Sequence, residues 1–240
     1  MKQLLTFFVF LILLNSCNSE FKPVSFKTTV LENDQYKADV SVVLDKALGS
    51  DELSKTINFK IEEAVISTLS DVTKKTNLES VLKDFNSEYL AFKKEFTDEE
   101  GPVWELHIET EKIYQSEEVV TLAISTYEFK GGAHGNDKIK FINLNAKTGE
   151  VLNNEDIIKD LNAFRDLAKT HFVKSLDNRN RRLKMEDFFF GKPFQLPENI
   201  GFSDDGLVLL YNVYEIASYD QGYTEFIIPF DDVEPHLKAH

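Results

Sequence analysis

The chain has 240 residues, of which 42% are hydrophobic and 28% charged, so it can form a packed core and is not an intrinsically disordered chain. Its net charge of −14 comes from acidic residues spread over the whole length, whereas nucleic-acid binding requires a concentrated positive surface. The composition therefore argues against a nucleic-acid partner and favours a cationic protein.

The first 16 residues have the anatomy of a secretory signal peptide. Their apolar run, Leu4 to Leu14, is too short to span a bilayer, because about 20 residues are needed. Cys17, the one cysteine of the sequence, follows "LNS", and this arrangement resembles the bacterial lipobox. We predict that Cys17 is lipidated, that residues 17–24 form a short tether, and that the protein is exported and anchored to the bacterial membrane, in the periplasm, on the outer membrane or at the cell surface. The alternative is an ordinary signal peptide with a chance cysteine.

The N-terminal part of the mature chain predicts a β-hairpin and two helices. The segments "SFKTTVL" and "YKADVSVVL" alternate apolar and polar residues, with the turn sequence "ENDQ" between them. Apolar residues then recur at helical spacing over residues 51–69 and 76–96, and Thr76 and Glu79 match a capping box. The aromatic stripe of the second helix is open to two interpretations, a partner-binding face or core packing, and core packing is favoured.

The second half of the chain is rich in predicted strands. The segments "WELHIETEKIY", "EVVTLAISTYEF" and "DKIKFINLN" predict an antiparallel meander in which Trp104, Leu106 and Ile108 share one face. A third amphipathic helix is predicted over residues 161–176, and three short strands follow within residues 200–233. The segment "DFFFGKPF", which lies between them, is assigned to the core in preference to an exposed contact.

These elements predict an α+β fold, with antiparallel β-sheets packed against about three amphipathic helices. Residues 25–115 are expected to form an N-terminal α+β subdomain, and residues 116–240 a C-terminal α+β domain. The two are expected to pack as one compact unit.

The segment "YEFKGGAHGN" places two glycines and a histidine between two predicted strands. Gly131 and Gly132 are expected to supply the reversal of a hairpin, since glycine tolerates positive φ. His134 is open to three interpretations, which are a turn residue bonded locally, a residue that contacts a ligand, and a metal ligand. The sequence contains no pattern of an activated serine, a zinc-binding helix or a phosphate loop, so we predict no catalytic residue, no metal and no cofactor.

Two further groups of residues are ambiguous. The tyrosines near the C-terminus fit either sugar stacking or strand packing, with packing favoured: Tyr211, Tyr214, Tyr219 and Tyr223. The basic cluster "NRNRRLK" fits contact with lipid headgroups or an anionic cell-wall polymer, and also a solvated segment after a helix, which is favoured.

An ordered series of motifs over about residues 120–235 resembles a known family. The series comprises Gly-Gly-Ala-His, Asn-x-x-x-Gly-x-Val-Leu, Gly-Leu and Tyr-Glu-Ile-Ala-x-Tyr-x-x-Gly, and it is similar to the domain of unknown function 3298, of the RsiV-like, lysozyme-binding sensor type. Residues 25–115 resemble unknown-function family 4163, a PdaC-like domain. The resemblance implies one α+β unit that recognises a ligand, with neither an anti-sigma segment nor a deacetylase domain expected beside it.

From these patterns we expect a cell-envelope lipoprotein that acts as a binding module for a cationic lysozyme-like muramidase or a peptidoglycan fragment. Contact with the membrane is expected through the N-terminal lipid only. One alternative is an envelope metal-assisted hydrolase that uses His134 and nearby carboxylates, and another is a structural envelope protein without a small ligand. The candidate ligand-binding residues are Tyr127, Gly131, Gly132, His134, Tyr214 and Tyr219.

Overall fold

The computed structural model describes residues 22–31, 35–69, 77–96, 101–177 and 183–238. The predicted signal peptide, the lipidation site Cys17, Thr76 of the predicted capping box and most of the basic cluster lie outside these residues. Within them, no helix is long and apolar enough to cross a membrane.

The fold is α+β, as predicted, with one sheet of six strands in the order β1-β2-β3-β4-β5-β6 and one of three strands in the order β7-β8-β9. The strands are β1 Phe26–Leu31, β2 Asp39–Ala47, β3 Glu105–Gln115, β4 Val119–Phe129, β5 Asn136–Asn145, β6 Val151–Leu152, β7 Asn199–Ser203, β8 Gly206–Tyr211 and β9 Thr224–Pro229. The α-helices are α1 Glu52–Thr68, α2 Leu78–Glu95, α3 Asn154–Ile157, α4 Leu161–Asp177 and α5 Phe230–Val233, and short 3₁₀ turns cover Met185–Asp187, Phe189–Gly191, Tyr219–Gln221 and Glu234–His236.

The two N-terminal helices begin at side-chain caps. The carboxylate of Asp51 accepts a hydrogen bond from the backbone N–H of Ser54 at 2.9 Å and starts α1. The side chain of Asn77 accepts from the N–H of Ser80 at 2.8 Å and starts α2. The cap of α2 is therefore Asn77, one residue later than predicted, because its amide oxygen reaches a free N–H group of the first turn.

The six-stranded sheet departs from the antiparallel arrangement predicted for it at one pair of strands. The predicted hairpin β1–β2 and the meander β3–β4–β5 are antiparallel, but β2 and β3 pair in parallel, with Asp39 opposite Glu105. The chain leaves β2, forms α1 and α2, and returns to the same end of the sheet, which is the long connection that a parallel pair requires.

The six-stranded sheet has a separate hydrophobic core on each of its two faces. Leu106 and Ile108 on β3, and Trp104 just before it, belong to the core under α1 and α2, as their alternation predicts. The second core lies around α4 and the three-stranded sheet, and its buried residues include Phe164, Ala168, Phe172, Leu176, Phe188, Phe189 and Phe194. Phe190 is an exception to the predicted burial of "DFFFGKPF", since it is 65% exposed in a left-handed turn with φ of 52°.

Among the described residues, β6 pairs only with Asn143 and Leu144 of β5. Along the rest of that edge of β5, asparagine side chains join the two sheets. The amide of the buried Asn199 accepts from the N–H of Phe141 at 3.0 Å and donates to the carbonyl of Ile139 at 3.0 Å. We call this contact between β5 and the three-stranded sheet the seam. Within it, the buried Asn143 donates to the carbonyl of Ile200 at 2.7 Å and accepts from the hydroxyl of Thr121 at 2.8 Å. These bonds replace a ladder of main-chain hydrogen bonds and fix the three-stranded sheet against β5.

Candidate functional site

The loop of residues 130–135 connects β4 to β5 as a hairpin, as predicted, and the last pair of the ladder is Glu128 with Asn136. Gly131 has φ of 81°, a left-handed conformation that favours glycine. Gly132 does not have a positive φ, so the prediction that both glycines supply the reversal is wrong for Gly132. A side chain on Gly132 would have only the carbonyl of His134 as a near neighbour, at 3.7 Å.

At Gly135, a neighbouring side chain leaves no space for a Cβ atom. Gly135 is buried, and a Cβ at this position would lie 2.1 Å from the ring of Tyr127. The main chain therefore lies directly on the tyrosine ring, which no residue with a side chain allows without movement. Gly135 is not among the predicted site residues, although it is the third glycine of the same segment.

A row of polar and aromatic side chains crosses the six-stranded sheet next to this loop, on the face opposite to α1 and α2. His107 on β3 pairs with Tyr127 on β4, and Tyr127 pairs with Asp137 on β5. The rings of His107 and Tyr127 stack with centroids 5.7 Å apart and an angle of 19°. Glu105 adds a carboxylate 3.5 Å from Nε2 of His107. His107 is not among the predicted site residues. Its contact with Tyr127 depends on how β3 and β4 are aligned, which the sequence pattern of a single strand does not show.

His134 contacts the C-terminal part of the chain. Its ring stacks on Tyr219 with centroids 4.6 Å apart and an angle of 27°, and Tyr219 in turn contacts Tyr214 at 5.5 Å. Nδ1 of His134 lies 2.8 Å from the carbonyl oxygen of Gly135 and carries the ring proton, since a carbonyl can only accept. This bond fixes the orientation of the imidazole.

Four of the six predicted candidates thus lie with His107 in two groups of ring contacts, which are linked by the electrostatic effect of Tyr219 on Tyr127 and which we name together the aromatic strip. It consists of His107, Tyr127, His134, Tyr214 and Tyr219. The side chains come from β3, β4, the β4–β5 loop and the segment between β8 and β9. Gly131 belongs to the same loop, but the side of its Cα that would carry a Cβ faces Pro102 and Trp104.

Hydrogen bonds of Asn212 hold the main chain next to Tyr214, whose ring is exposed to solvent. Asn212 accepts from the N–H of Ile139 at 2.8 Å and donates to the carbonyl of Ile139 at 2.9 Å, while its own N–H donates to the carboxylate of Glu215 at 2.7 Å. Tyr214 has φ of 67°, a strained conformation for a residue with a ring, and is 58% exposed. Strain that the surroundings enforce in this way is a feature of ligand-contacting positions.

Acidic groups accompany the rings of the aromatic strip. Burial raises the pKa of Tyr127, and the nearby carboxylates of Glu105 and Asp137 raise it further. Burial, with Asp137 and Tyr219, raises the pKa of the neighbouring Tyr223 to about 12. Both phenols stay neutral at physiological pH and keep their O–H groups as hydrogen-bond donors.

The structure separates the tyrosines that the sequence left ambiguous. Tyr211 is buried and its hydroxyl donates to the carbonyl of Gln195 at 2.6 Å, so it is a core residue. Tyr219 is 43% exposed and belongs to the strip with Tyr214. In the part of the chain that the structure describes, no three histidine, cysteine, aspartate or glutamate side chains lie close enough to hold a metal ion.

Comparison with known proteins gives matches to two family models. A model described as "Protein of unknown function (DUF3298)" matches residues 150–231, and a model described as "Deacetylase PdaC" matches residues 30–137. The crystal structure of a DUF3298 family member from Bacteroides fragilis has a TM-score of 0.68 at 18% identity, covering 90% of this chain and 95% of that chain. A DUF3298 family protein from Pseudomonas aeruginosa has a TM-score of 0.65 at 21% identity, with the same coverage. No curated protein matches the chain.

Proposed function

We propose that the chain, which matches the PdaC model over residues 30–137 and the DUF3298 model over residues 150–231, is a binding module of the bacterial cell envelope. The two family resemblances are as predicted, but the Gly-Gly-Ala-His motif lies in the PdaC match and not in the DUF3298 match. The observation that supports the proposal is the aromatic strip. Its rings contact one another in two groups, His107 with Tyr127, and His134 with Tyr219 and Tyr214. The imidazole of His134 is oriented by a hydrogen bond, and the rings of Tyr214 and Tyr219 are open to solvent. A surface of this kind is prepared for contact without a large loss of side-chain entropy.

The chemistry of the strip suits a cationic partner. Stacked tyrosine and histidine rings offer π-faces to lysine or arginine side chains, and Glu105 and Asp137 offer carboxylates beside them. The net charge of −14 raises the rate at which a positively charged protein meets this surface. The partner that we propose is a cationic muramidase of the lysozyme type.

A glycan of the cell wall is the second candidate, and the exposure of two adjacent tyrosine rings favours it. A sugar ring stacks on a tyrosine ring through its apolar face, while carboxylates accept hydrogen bonds from its hydroxyl groups. The family description of PdaC names a deacetylase, and release of acetate from an acetylated glycan by the purified protein would replace binding with catalysis as the function of this chain.

Loss of the central ring of the strip is expected to weaken binding. Tyr219 contacts both His134 and Tyr214, so Tyr219→Ala removes two of the ring contacts and should raise the dissociation constant for a c-type lysozyme by about tenfold or more. Biolayer interferometry of the two proteins measures this change.

Phe59→Ala is the matched control for Tyr219→Ala. Phe59 is an aromatic residue that is 55% exposed, and it lies on α1, which packs on the sheet face opposite to His107. We expect its replacement to leave the affinity unchanged. Equal losses in the two variants, or no loss in either, would contradict the assignment of the binding surface to the strip.

We also propose that the protein is exported and held at the membrane by lipid on Cys17. Each buried CH₂ of an acyl chain contributes about 0.8 kcal/mol, so two or three chains form a lasting anchor. Cys17→Ser removes the thiol that accepts the first lipid and is expected to move the protein from the membrane fraction to the soluble fraction on cell fractionation. A serine variant that still sediments with membranes would show that Cys17 is not the anchor.

A further inference from the structure

A second concave surface lies between α1, β5, the β6–α3 segment and the start of β7. It is a groove of about 540 Å³, and the apolar part of its lining includes Ala64, Phe141 and Ile200. None of the residues of the aromatic strip lines it. Residues matched by the PdaC model and residues matched by the DUF3298 model both contribute to its walls, so it forms only when the two parts are packed together.

Lys140 is a cation of this groove with donors to spare. Its ammonium donates to the hydroxyl of Ser67 at 2.7 Å, and no carboxylate of the described residues lies within ion-pair distance of it. Burial lowers the pKa of Lys140 and the positive charge of Lys138 lowers it further, while the carboxylate of Glu198 opposes them without reversing the shift. An anion bound here would therefore stabilise the charged form of Lys140. Lys60, on the opposite wall, is already paired with Glu63 at 3.3 Å and Glu150 at 3.4 Å.

The groove continues along an open strand edge into a second depression. β6 pairs with β5 on one side only, and within the described residues no strand occupies its other side. The adjoining depression, of about 490 Å³, shares Asn154, Glu155 and Glu198 with the groove and has Arg165 on its far wall. The two together form a trough in which Lys140 lines only the groove, Arg165 lines only the second depression, and Glu155 and Glu198 line both.

We propose that this trough binds an extended peptide, with a peptide carboxylate on the ammonium of Lys140 and the peptide main chain beside the open edge of β6. A free strand edge offers unpaired N–H and C=O groups to a peptide main chain. The carboxylates of Glu155 and Glu198 line the trough and can pair with a peptide ammonium, and its apolar lining residues, such as Ala64 and Ile200, can contact small side chains. This site is separate from the aromatic strip and does not depend on what the strip binds.

The test is a titration of the isotope-labelled full chain with two short peptides, followed by ¹H–¹⁵N NMR. One peptide is trialanine with a free carboxylate, and the other is trialanine with a C-terminal amide. We expect the free acid to shift the amide resonances of Ser67 and residues 140–143 saturably, and the amide form to bind about tenfold more weakly because it lacks the charge-assisted hydrogen bond.

Lys140→Met keeps the aliphatic stem and removes the charge. It should weaken binding of the free-acid peptide about tenfold and leave binding of the amide peptide unchanged. Lys138→Met is the control, because it removes the same charge from the same strand at an exposed position that does not line the groove. Equal binding of both peptides, an equal effect of both variants, or the absence of saturable shifts at millimolar peptide would overturn the proposal. Shifts confined to His134 and Tyr219 would place the peptide on the aromatic strip and would overturn it as well.

Discussion

Asn199→Leu is expected to lower the free energy of unfolding by about 2–3 kcal/mol, the largest loss of stability that we predict. The leucine has a similar volume but leaves the N–H of Phe141 without the acceptor that Asn199 supplies at 3.0 Å. The carbonyl of Ile139 keeps one partner, since Asn212 also donates to it. Most of the predicted cost is therefore that of one partly buried donor left without a bond, added to the loss of the bonds that join the sheets.

Urea denaturation of the wild type and the variant measures this loss. Asn162→Leu is the control, because Asn162 is an exposed residue of α4 and surface substitutions change stability by about 0.5 kcal/mol or less. A variant at Asn199 as stable as the control would mean that the seam between the sheets is held by apolar packing alone.

Gly135→Ala is expected to remove the aromatic strip as a binding surface. A Cβ would lie 2.1 Å from Cε2, 2.3 Å from Cζ and 2.5 Å from Oη of Tyr127, so the ring must leave its place beside His107. The atoms that clash are at the far end of a side chain that can rotate, and we therefore expect a modest loss of stability, about 1 kcal/mol, together with a loss of affinity of about tenfold.

Two further variants separate this effect from a general disturbance of the loop. Gly132→Ala introduces the same methyl group three residues earlier, where its near neighbour is 3.7 Å away, and should change neither stability nor affinity. In the double variant Gly135→Ala/Tyr127→Ala the clash is absent, so its unfolding free energy should be higher than the sum of the single effects predicts. Additive effects in urea denaturation would show that Gly135 and Tyr127 do not contact each other.

Local sequence patterns predict the helices and strands of this fold, because apolar residues recur every three or four positions in a helix and every second position in a strand. The spacing of Phe164, Ala168 and Phe172 in α4 and the alternation of Leu106 and Ile108 in β3 both indicate the buried face correctly. The parallel pairing of β2 with β3 was missed, although the two helices between these strands form the long connection that such a pair needs.

The candidate site is predicted less completely, because most of its contacts join residues that are far apart in the sequence. His134 and Tyr219 are 85 positions apart, and nothing in the order of residues between them indicates that their rings stack. His107 enters the strip through its register with Tyr127, which a strand pattern does not specify. The family motif does indicate Tyr214 and Tyr219, but the structure adds the physical reason, since Asn212 fixes the main chain on β5 and leaves both rings in solvent.

Calorimetric titration of the chain from Asn18 onward with a c-type lysozyme, at low and at high salt, measures whether the aromatic strip binds a cationic protein. We expect saturable binding that weakens as salt rises, because salt screens the attraction between the acidic chain and the basic enzyme, and a much weaker signal for Tyr219→Ala at both salt concentrations. Absence of heat at either salt concentration, or binding to the wild type and to Tyr219→Ala with equal affinity, would contradict this expectation.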